Sequence, residues 1–542
     1  MNIEIQDMAD YHKTYSSFRW QIPEWFNFGF DIIDKQAKEN DKLALLSVDN
    51  SGEYAQYHTF RDLSILSTRM ANLLKTQGIK RGDRIIIMLP SVPEWYIAVL
   101  GVIKLAAIFS PTPTLSTAGD LEYRINQLEA VAVITNSELV NRFTQIRERC
   151  PSLKAVLLTD GEKKGCVSLA QEMPRMSSNF NQLGRTRRSD ALLIYFTSGT
   201  TGYPKMVLHN QAYALAHIVT AKFVHDLKST DLHWTIADTG WAKTAWGRLF
   251  GQWILGAAVF QHNNKGKFDA VKTMRLIEKY AITTFCAPPT AYRMLVQEDL
   301  KSFNLKSLRH CVSAGEPLNP AVYYTWKEKV GLGIYDCYGQ TESVCLIGNY
   351  PSLPVKPGSM GKPTPGHVIN ILDDEGSPLP SGKQGKIALK IKPVRPPGLF
   401  REYWKDTDSM KTSFRGDWYY TGDLAIRDEE GYFWFVGRED DVIKSSGYRI
   451  GPFEVESVLQ EHPAVAESTV IGVPDDQRGQ VVKAYVVLKP GYVAGEALTK
   501  ELQEFVKNST APYKYPREIE YLKELPKTIS GKILRSELRQ RK

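Results

Sequence analysis

The stretch 84–109 constrains the fold more than any other part of the chain. "RIIIML" (84–89) is an apolar run of strand length. "PEWYIAVLGVIKLAAIF" (93–109), with proline in its first turn, reads as a packed helix. "AVAVITN" (130–136) is the next strand, and helix–strand pairs continue to about residue 340. Such alternation predicts an α/β fold with mainly parallel sheets. From 355 to 436 the chain turns to Pro, Gly and β-branched residues, as in "GKIALKIK" and "GYFWFVGR", which predicts a β-rich subdomain. After "GRED", helix patterns at 451–463 and 496–510 and the strand patterns "ESTVIGVP" and "VVKAYVVLK" predict a small α+β unit. The expected organisation is a large multi-subdomain N-terminal domain, 1–438, and a small mobile C-terminal domain, 439–542.

A chain of 542 residues is too long for one core, in keeping with that division. A net charge of +8 without a dense Lys/Arg block argues against nucleic acid. The six cysteines (Cys150, Cys166, Cys286, Cys311, Cys337, Cys345) contain no Cys-x-x-Cys pair, which predicts reduced thiols rather than a disulfide frame or zinc site. Cys337 and Cys345, which flank a motif below, are expected as small buried hydrophobes. The first twenty residues carry acids and lack the apolar core of a secretory signal. Pro90, Pro93, Glu94 and Lys104 break the most apolar stretch, so no membrane span is expected and the cytoplasm is the expected compartment.

"YFTSGTTGYPK" (195–205) follows the apolar run "ALLI". Glycines at 199 and 202 let backbone approach phosphate oxygens closely, the hydroxyls of Thr197, Ser198, Thr200 and Thr201 can donate to them, and Lys205 adds a point charge. A flexible surface loop would need neither the strand before it nor the Pro-Lys after it. The loop is not a nucleoside-triphosphatase P-loop, because Gly199 and Gly202 are too close and Met206 follows Lys205.

This loop resembles the phosphate-binding loop of the adenylate-forming (AMP-binding) superfamily, and five further segments resemble that family's signatures in order. "SAGEPLNP" (313–320) is similar to its adenine-binding segment and "YGQTES" (338–343) to its nucleotide and magnesium motif. "YTGDLA" (420–425) is similar to its ribose motif, "GREDDVIKSSGYRIGPFEVE" (437–456) to its hinge region, and "PKTISGKILR" (526–535) to its C-terminal lysine motif. The resemblance implies ATP contacts from Thr197–Gly202, Lys205, Gly315, Glu316, Pro317, Asp336, Tyr338, Gly339, Gln340, Thr341, Asp423, Arg438 and Lys532. Physically, Tyr338 offers a ring face for adenine, Thr341 a hydroxyl for the α-phosphate, and Glu342 a carboxylate for Mg2+. Asp423, after a Thr-Gly turn, can accept ribose hydroxyls or bond its own backbone. Arg438 is a second ribose or phosphate contact or a surface salt bridge.

The implied chemistry has two steps: a carboxylate attacks the α-phosphorus of ATP, then the thiol of coenzyme A displaces AMP. Lys532, Thr341, Glu342 and Lys205 are the implied catalytic groups, acting by positioning and charge neutralisation. Asp440 is the implied hinge between a pose that inserts Lys532 and one that brings "SSGYR" (445–449) to the site.

Within the family the chain looks most like medium-chain acyl-CoA synthetases, through "IPEWFNFGFDIID", "DTGWAK", "SSGYRIGPFEVES" and "TAPYKYPR". Coenzyme A is then expected at Ser446, Gly447, Tyr448, Arg449, Arg478, Lys507, Tyr515, Pro516 and Arg517, with Gly447 leaving room for the pantetheine arm. The acyl pocket is expected around Trp241, Lys243, Ser313, Ala314 and Gly315. Trp241 either stops the pocket or packs the core, and Lys243 either limits chain length or reaches the surface. The expected acid is a short- to medium-chain, branched or aromatic monocarboxylate. An acetate-type or aryl-CoA ligase differs only in pocket shape. A non-catalytic AMP- or acyl-CoA-binding sensor is disfavoured because Lys532, Glu342 and Asp423 are all present. A homo-oligomer is compatible with all of these readings.

Overall fold

The computed structural model describes residues 7–180, 185–197, 204–445, 448–475, 477–527 and 533–541. Two large sheets dominate the first 440 residues. In the first, strands Ala191–Thr197, Ile108–Pro111, Arg84–Ile87, Ala132–Thr135, Ala155–Leu158 and Val167–Ser168 lie side by side and parallel. Their near-continuous apolar sequences follow from burial on both faces. Lys205–Asn210 folds back antiparallel on Ala191–Thr197 and sets Thr197, near the start of the predicted phosphate loop, opposite Lys205 at its end. The short strand Glu402–Tyr403 then pairs with Lys205–Asn210.

In the second sheet Ile334–Tyr338, His310–Ala314, Thr284–Ala287, Leu232–Thr235, Ala258–His262 and Leu43–Val48 run parallel, with antiparallel strands at both edges. Ser313 lies beside Asp336 and Ala314 beside Cys337, so "SAGEPLNP" and "YGQTES" leave the carboxyl ends of neighbouring parallel strands. Ligands collect at such ends in open α/β sheets.

The helix expected over 93–109 ends at Lys104, and Ile108–Pro111 is a strand. Ala106 turns the chain with a φ of 58°. From Trp95 to Phe109 only Lys104 is charged and every residue but Ala106 is buried, so periodicity could not separate helix from strand. Lys104 is buried and donates to Asp34 Oδ1 at 2.6 Å and Thr68 Oγ1 at 2.9 Å.

The expected β-rich segment is an antiparallel sheet of Ile369–Leu372, Gln384–Lys390, Trp418–Arg427, Phe414–Arg415 and Phe433–Arg438. Beyond it, Ile443–Ser445, Tyr448–Ile450, Val465–Asp475, Gly479–Leu488 and Glu518–Tyr521 form a separate sheet. Helices Pro452–Glu461 and Glu496–Ser509 close over it around Val455, Leu459, Val470, Val482, Leu502 and Val506. All six cysteines are free thiols, and Cys337 and Cys345 are buried. Among the described residues no helix is long and apolar enough to cross a membrane.

Candidate active site

The hairpin Ala191–Asn210 delivers Lys205 to a site built from three sheets. Because Glu402–Tyr403 pairs with Lys205–Asn210, the Lys205 ammonium lies 5.1 Å from the centre of the Tyr403 ring. The Tyr403 hydroxyl donates to Glu342 Oε1 at 2.9 Å, so one tyrosine joins the loop lysine to the predicted metal carboxylate. Burial raises the Glu342 pKa, while the Tyr403 hydrogen bond pulls it down. His209 Nε2 donates to the Thr341 carbonyl at 2.7 Å, which requires the proton on Nε2. Burial depresses that imidazole to a pKa of about 3, so it is neutral.

Asp423 pairs with Arg438 of the neighbouring strand, next to a break in the ladder on its other side. The expected Thr-Gly turn is instead a bulge inside the continuous strand Trp418–Arg427: Lys386 pairs with Leu424 and Ala388 with Tyr420, leaving the residues between them to bow outward. Gly422 accommodates the bow with a φ of +78°. The Asp423 carboxylate accepts from the Tyr338 hydroxyl at 2.6 Å and from Gln340 Nε2 at 2.7 Å. Its Oδ1 lies 3.9 Å from Arg438 Nε, and that side chain is 47% exposed. Tyr419 donates to Gln340 Oε1 at 3.1 Å and fixes the orientation of the amide.

On the neighbouring strand end, Lys243 Nζ donates to the Ala314 carbonyl at 3.0 Å. This corrects the surface alternative for Lys243, because its ammonium turns inward to satisfy a carbonyl of the predicted adenine segment. Trp241, half-buried, caps helix Ala242–Arg248, and its indole nitrogen has no partner among the described residues. Glu316 pairs with Arg293 at 3.6 Å, Pro317 is half-buried and Gly315 is exposed. Asp336 is buried and accepts from the Leu318 amide at 3.2 Å; burial pushes its pKa up to about 7. Gly339 lies so close to Trp246 that a Cβ there would overlap the indole ring.

In the C-terminal part, Glu439 pairs with Lys386 of the β-rich sheet at 2.9 Å, whereas Asp441 pairs with Arg539 of the last helix at 2.6 Å. The exposed Asp440 thus lies between one neighbour tied to the body and one tied to the C-terminal unit. Arg517 donates to the Tyr515 hydroxyl at 2.9 Å, and Lys507 stands 5.9 Å from the centre of the same ring. Pro516 is buried, and Arg478 lies 3.9 Å from Asp475. Tyr448 stacks on Tyr513 at 4.0 Å. Ser198, Gly199, Thr200, Thr201, Gly202, Ser446, Gly447, Lys532 and the side chain of Arg449 lie outside the described residues. Arg535, three residues after Lys532, grips Glu456 with hydrogen bonds of 2.6 and 2.8 Å.

His209 and Tyr403 escaped the sequence reading. Their partners Thr341 and Glu342 lie far away in the chain, and no local pattern marks them.

An AMP-binding enzyme family model matches residues 33–404, and an AMP-binding enzyme C-terminal domain model matches residues 454–532. The chain belongs to the AMP-binding enzyme family. Family relatives include the mitochondrial acyl-coenzyme A synthetase ACSM3 of Mus musculus, 43% identical over 99% of this chain and 94% of that one. The anthranilate CoA ligase AuaEII in complex with anthranoyl-AMP superposes with a TM-score of 0.87 at 32% identity, covering 96% and 97% of the two chains. A benzoate CoA ligase from Burkholderia xenovorans LB400 follows at a TM-score of 0.84 and 27% identity, covering 95% and 100%.

Proposed function

We propose that the chain is an ATP-dependent acyl-CoA synthetase acting on a short- or medium-chain, branched or aromatic monocarboxylate. The observation that carries this reading is the Lys205–Tyr403–Glu342 arrangement beside the Asp423 cluster, which sets a cation and two carboxylates around the ends of parallel strands. In the first step a substrate carboxylate oxygen bonds to the α-phosphorus of ATP, the bond to the β-phosphate oxygen breaks, and pyrophosphate leaves. In the second, the sulfur of coenzyme A bonds to the acyl carbon, the carbon–oxygen bond to AMP breaks, and the thiol proton passes to solvent. No side-chain nucleophile is needed.

Asp423 holds the ribose, Lys205 and its loop orient the phosphates, and Lys532 bridges carboxylate and α-phosphate in the adenylating pose. Mg2+ fits Glu342, because magnesium takes one or two carboxylates and completes its shell with substrate phosphates and water. It would neutralise phosphate charge there. The division at 438/439 with the hinge at Asp440 belongs to the same proposal, supported by the opposed ion pairs of Glu439 and Asp441. Lys507, Tyr515 and Arg517 form the cationic, aromatic surface offered to coenzyme A. The cytoplasm is proposed from cysteine usage. Because the ACSM relatives are named as mitochondrial, fractionation of cells decides it. Self-association is open to light scattering.

Acid-dependent exchange of labelled pyrophosphate into ATP tests the first step. Exchange that requires both an acid and magnesium supports the reading, and exchange with no acid on a broad panel contradicts it.

A further inference from the structure

The chain from Asp7 to Ile22 forms a strap beside helix Gln211–Val219 and its continuation Thr220–Val224. Most of its anchors lie elsewhere: the Tyr11 hydroxyl donates to the Pro363 carbonyl, the Tyr15 hydroxyl to His367 and the Trp20 indole nitrogen to Gly366, each at 2.9 Å. At one end Asp7 pairs with Lys222 at 2.5 Å, and the Phe18 ring meets Phe223 edge-on at 5.9 Å. Between strap and helix these anchors leave a cavity of about 420 Å³, partly open to solvent and of the size of small-molecule sites.

The walls of this cavity divide by chemistry. Leu215, Ile218 and Phe223 supply an apolar floor from the helix, and Trp20 and Ile22 line the strap side. Because its nitrogen is taken by Gly366, the Trp20 indole has only ring carbon left to offer. Charge at the rim is unbalanced. Asp7 is held by Lys222, and Asp10 caps helix Tyr11–Ser17 by accepting from the Lys13 amide at 2.8 Å. The exposed Lys13 ammonium, also on the cavity wall, has no partner among the described residues. Arg19 Nη1 donates to the Ser16 and Phe18 carbonyls at 2.7 and 2.8 Å, which fixes the guanidinium and leaves its Nε–Nη2 edge without a partner among the described residues. That edge is a two-pronged donor matched to a carboxylate. An apolar floor beside a fixed, unpaired fork suits an amphipathic anion, which has a hydrocarbon body to bury and a carboxylate to pair.

We infer that this cavity binds an amphipathic monocarboxylate at a site separate from the catalytic centre, with the ring or chain on the helix floor and the carboxylate on the Arg19 fork beside Lys13. The ligand class follows from the cavity itself and does not rest on the carboxylate-activating reading above. Reversing the charge of the fork removes the pairing, and filling the space removes the site.

The test is equilibrium dialysis of labelled octanoate against the full chain without ATP. The expected result is a saturable octanoate site whose Kd rises about tenfold or more in Arg19→Glu. The same site should be lost in Ser17→Trp, which places an indole at an exposed residue of the cavity wall. Octanol, the uncharged competitor, should displace octanoate only at about tenfold higher concentration than octanoate itself. Acid-dependent pyrophosphate exchange at saturating acid should stay at the wild-type level in both variants, and urea midpoints establish that they fold. Should one variant not fold, the other and the octanol competition decide. No saturable octanoate binding in the wild type, or binding that neither substitution alters, would overturn the inference. Exchange lost along with the site in both folded variants would place the octanoate in the catalytic centre and overturn it as well. An Arg19-dependent site in wild-type protein that shows no exchange with any acid would support the inference and contradict carboxylate activation.

Discussion

The Tyr338 hydroxyl donates to the Asp423 carboxylate at 2.6 Å, tying the end of a parallel strand in one sheet to a bulge in another. With Gln340 donating to the same oxygen, the carboxylate is held before nucleotide arrives. A hydrogen bond to a charged group contributes about 1.5–3 kcal/mol. Asp423→Ala should therefore raise the KM for ATP by roughly ten- to a hundredfold, whereas Tyr338→Phe, which leaves the Gln340 bond, should raise it less. Steady-state kinetics with ATP varied provides the check, and a change below twofold for Asp423→Ala would remove this residue from the nucleotide site.

Glu342→Gln keeps the shape of the side chain and the Tyr403 contact but removes the charge. Losing one preorganised electrostatic group of this kind costs roughly 10²–10³ in rate. The adenylation rate should fall by about that much, and saturation with magnesium should require a higher concentration. An unchanged magnesium titration would assign the metal elsewhere.

Gly339→Ala places a methyl group into the Trp246 ring. Overpacking of this kind costs about 1–3 kcal/mol. The urea midpoint should fall, and Trp246→Leu added to Gly339→Ala should recover part of the loss. A wild-type midpoint in Gly339→Ala would mean that the ring moves freely aside.

Fold class was legible because long apolar strands and helices alternate from residue 84 onward, and the motifs were legible because each is contiguous. What stayed hidden depends on contacts between distant segments. The antiparallel return of Lys205–Asn210 has no local signal, since only pairing with Ala191–Thr197 shows that Thr197 faces Lys205. "YTGDLA" suggested a turn because Thr-Gly is turn chemistry, yet the partner strand Gln384–Lys390 pairs on both sides of Gly422. Tyr403 and His209 reach Glu342 and Thr341 across 61 and 132 residues of sequence, beyond any local pattern. Lys243 had two readings because a lysine stem suits either surface or interior, and only the Ala314 carbonyl decides between them.

Acid should destabilise the protein. Burial lowers the pKa of His209 and His233 to about 3 and of His310 and His367 to about 4, and it lowers those of His217 and His225 as well. The unfolded chain binds protons at these groups near pH 6.5 while the folded chain does not, so their stability contribution is lost as pH falls from about 6.5 towards 4. Asp336, raised to about 7, acts in the opposite sense, since its folded form holds a proton that the unfolded chain has released, and burial raises Glu94, Asp238 and Glu342 in the same direction. The six histidines outnumber these four carboxylates. Urea midpoints should fall from pH 7 to pH 5, and fall more steeply in Asp336→Asn; a flat or rising midpoint would contradict the assignment.

Asp440→Pro fixes φ near −65° at the residue between the Glu439–Lys386 and Asp441–Arg539 ion pairs. If the C-terminal unit turns there, pyrophosphate release should persist while thioester formation falls. Equal loss of both half-reactions would place the hinge elsewhere.

Lys532→Ala separates the half-reactions in the other direction. It should abolish adenylate formation yet leave conversion of supplied acyl-adenylate to thioester largely intact. Equal losses would contradict two alternating poses.

The most direct test of the central claim is mass spectrometry of the products formed from MgATP, coenzyme A and a pooled panel of acids from acetate to octanoate, with branched, hydroxylated and aromatic members. The account predicts an acyl-CoA that accumulates in step with AMP. Formation of ADP instead of AMP, or no thioester from folded protein that binds ATP, would contradict it.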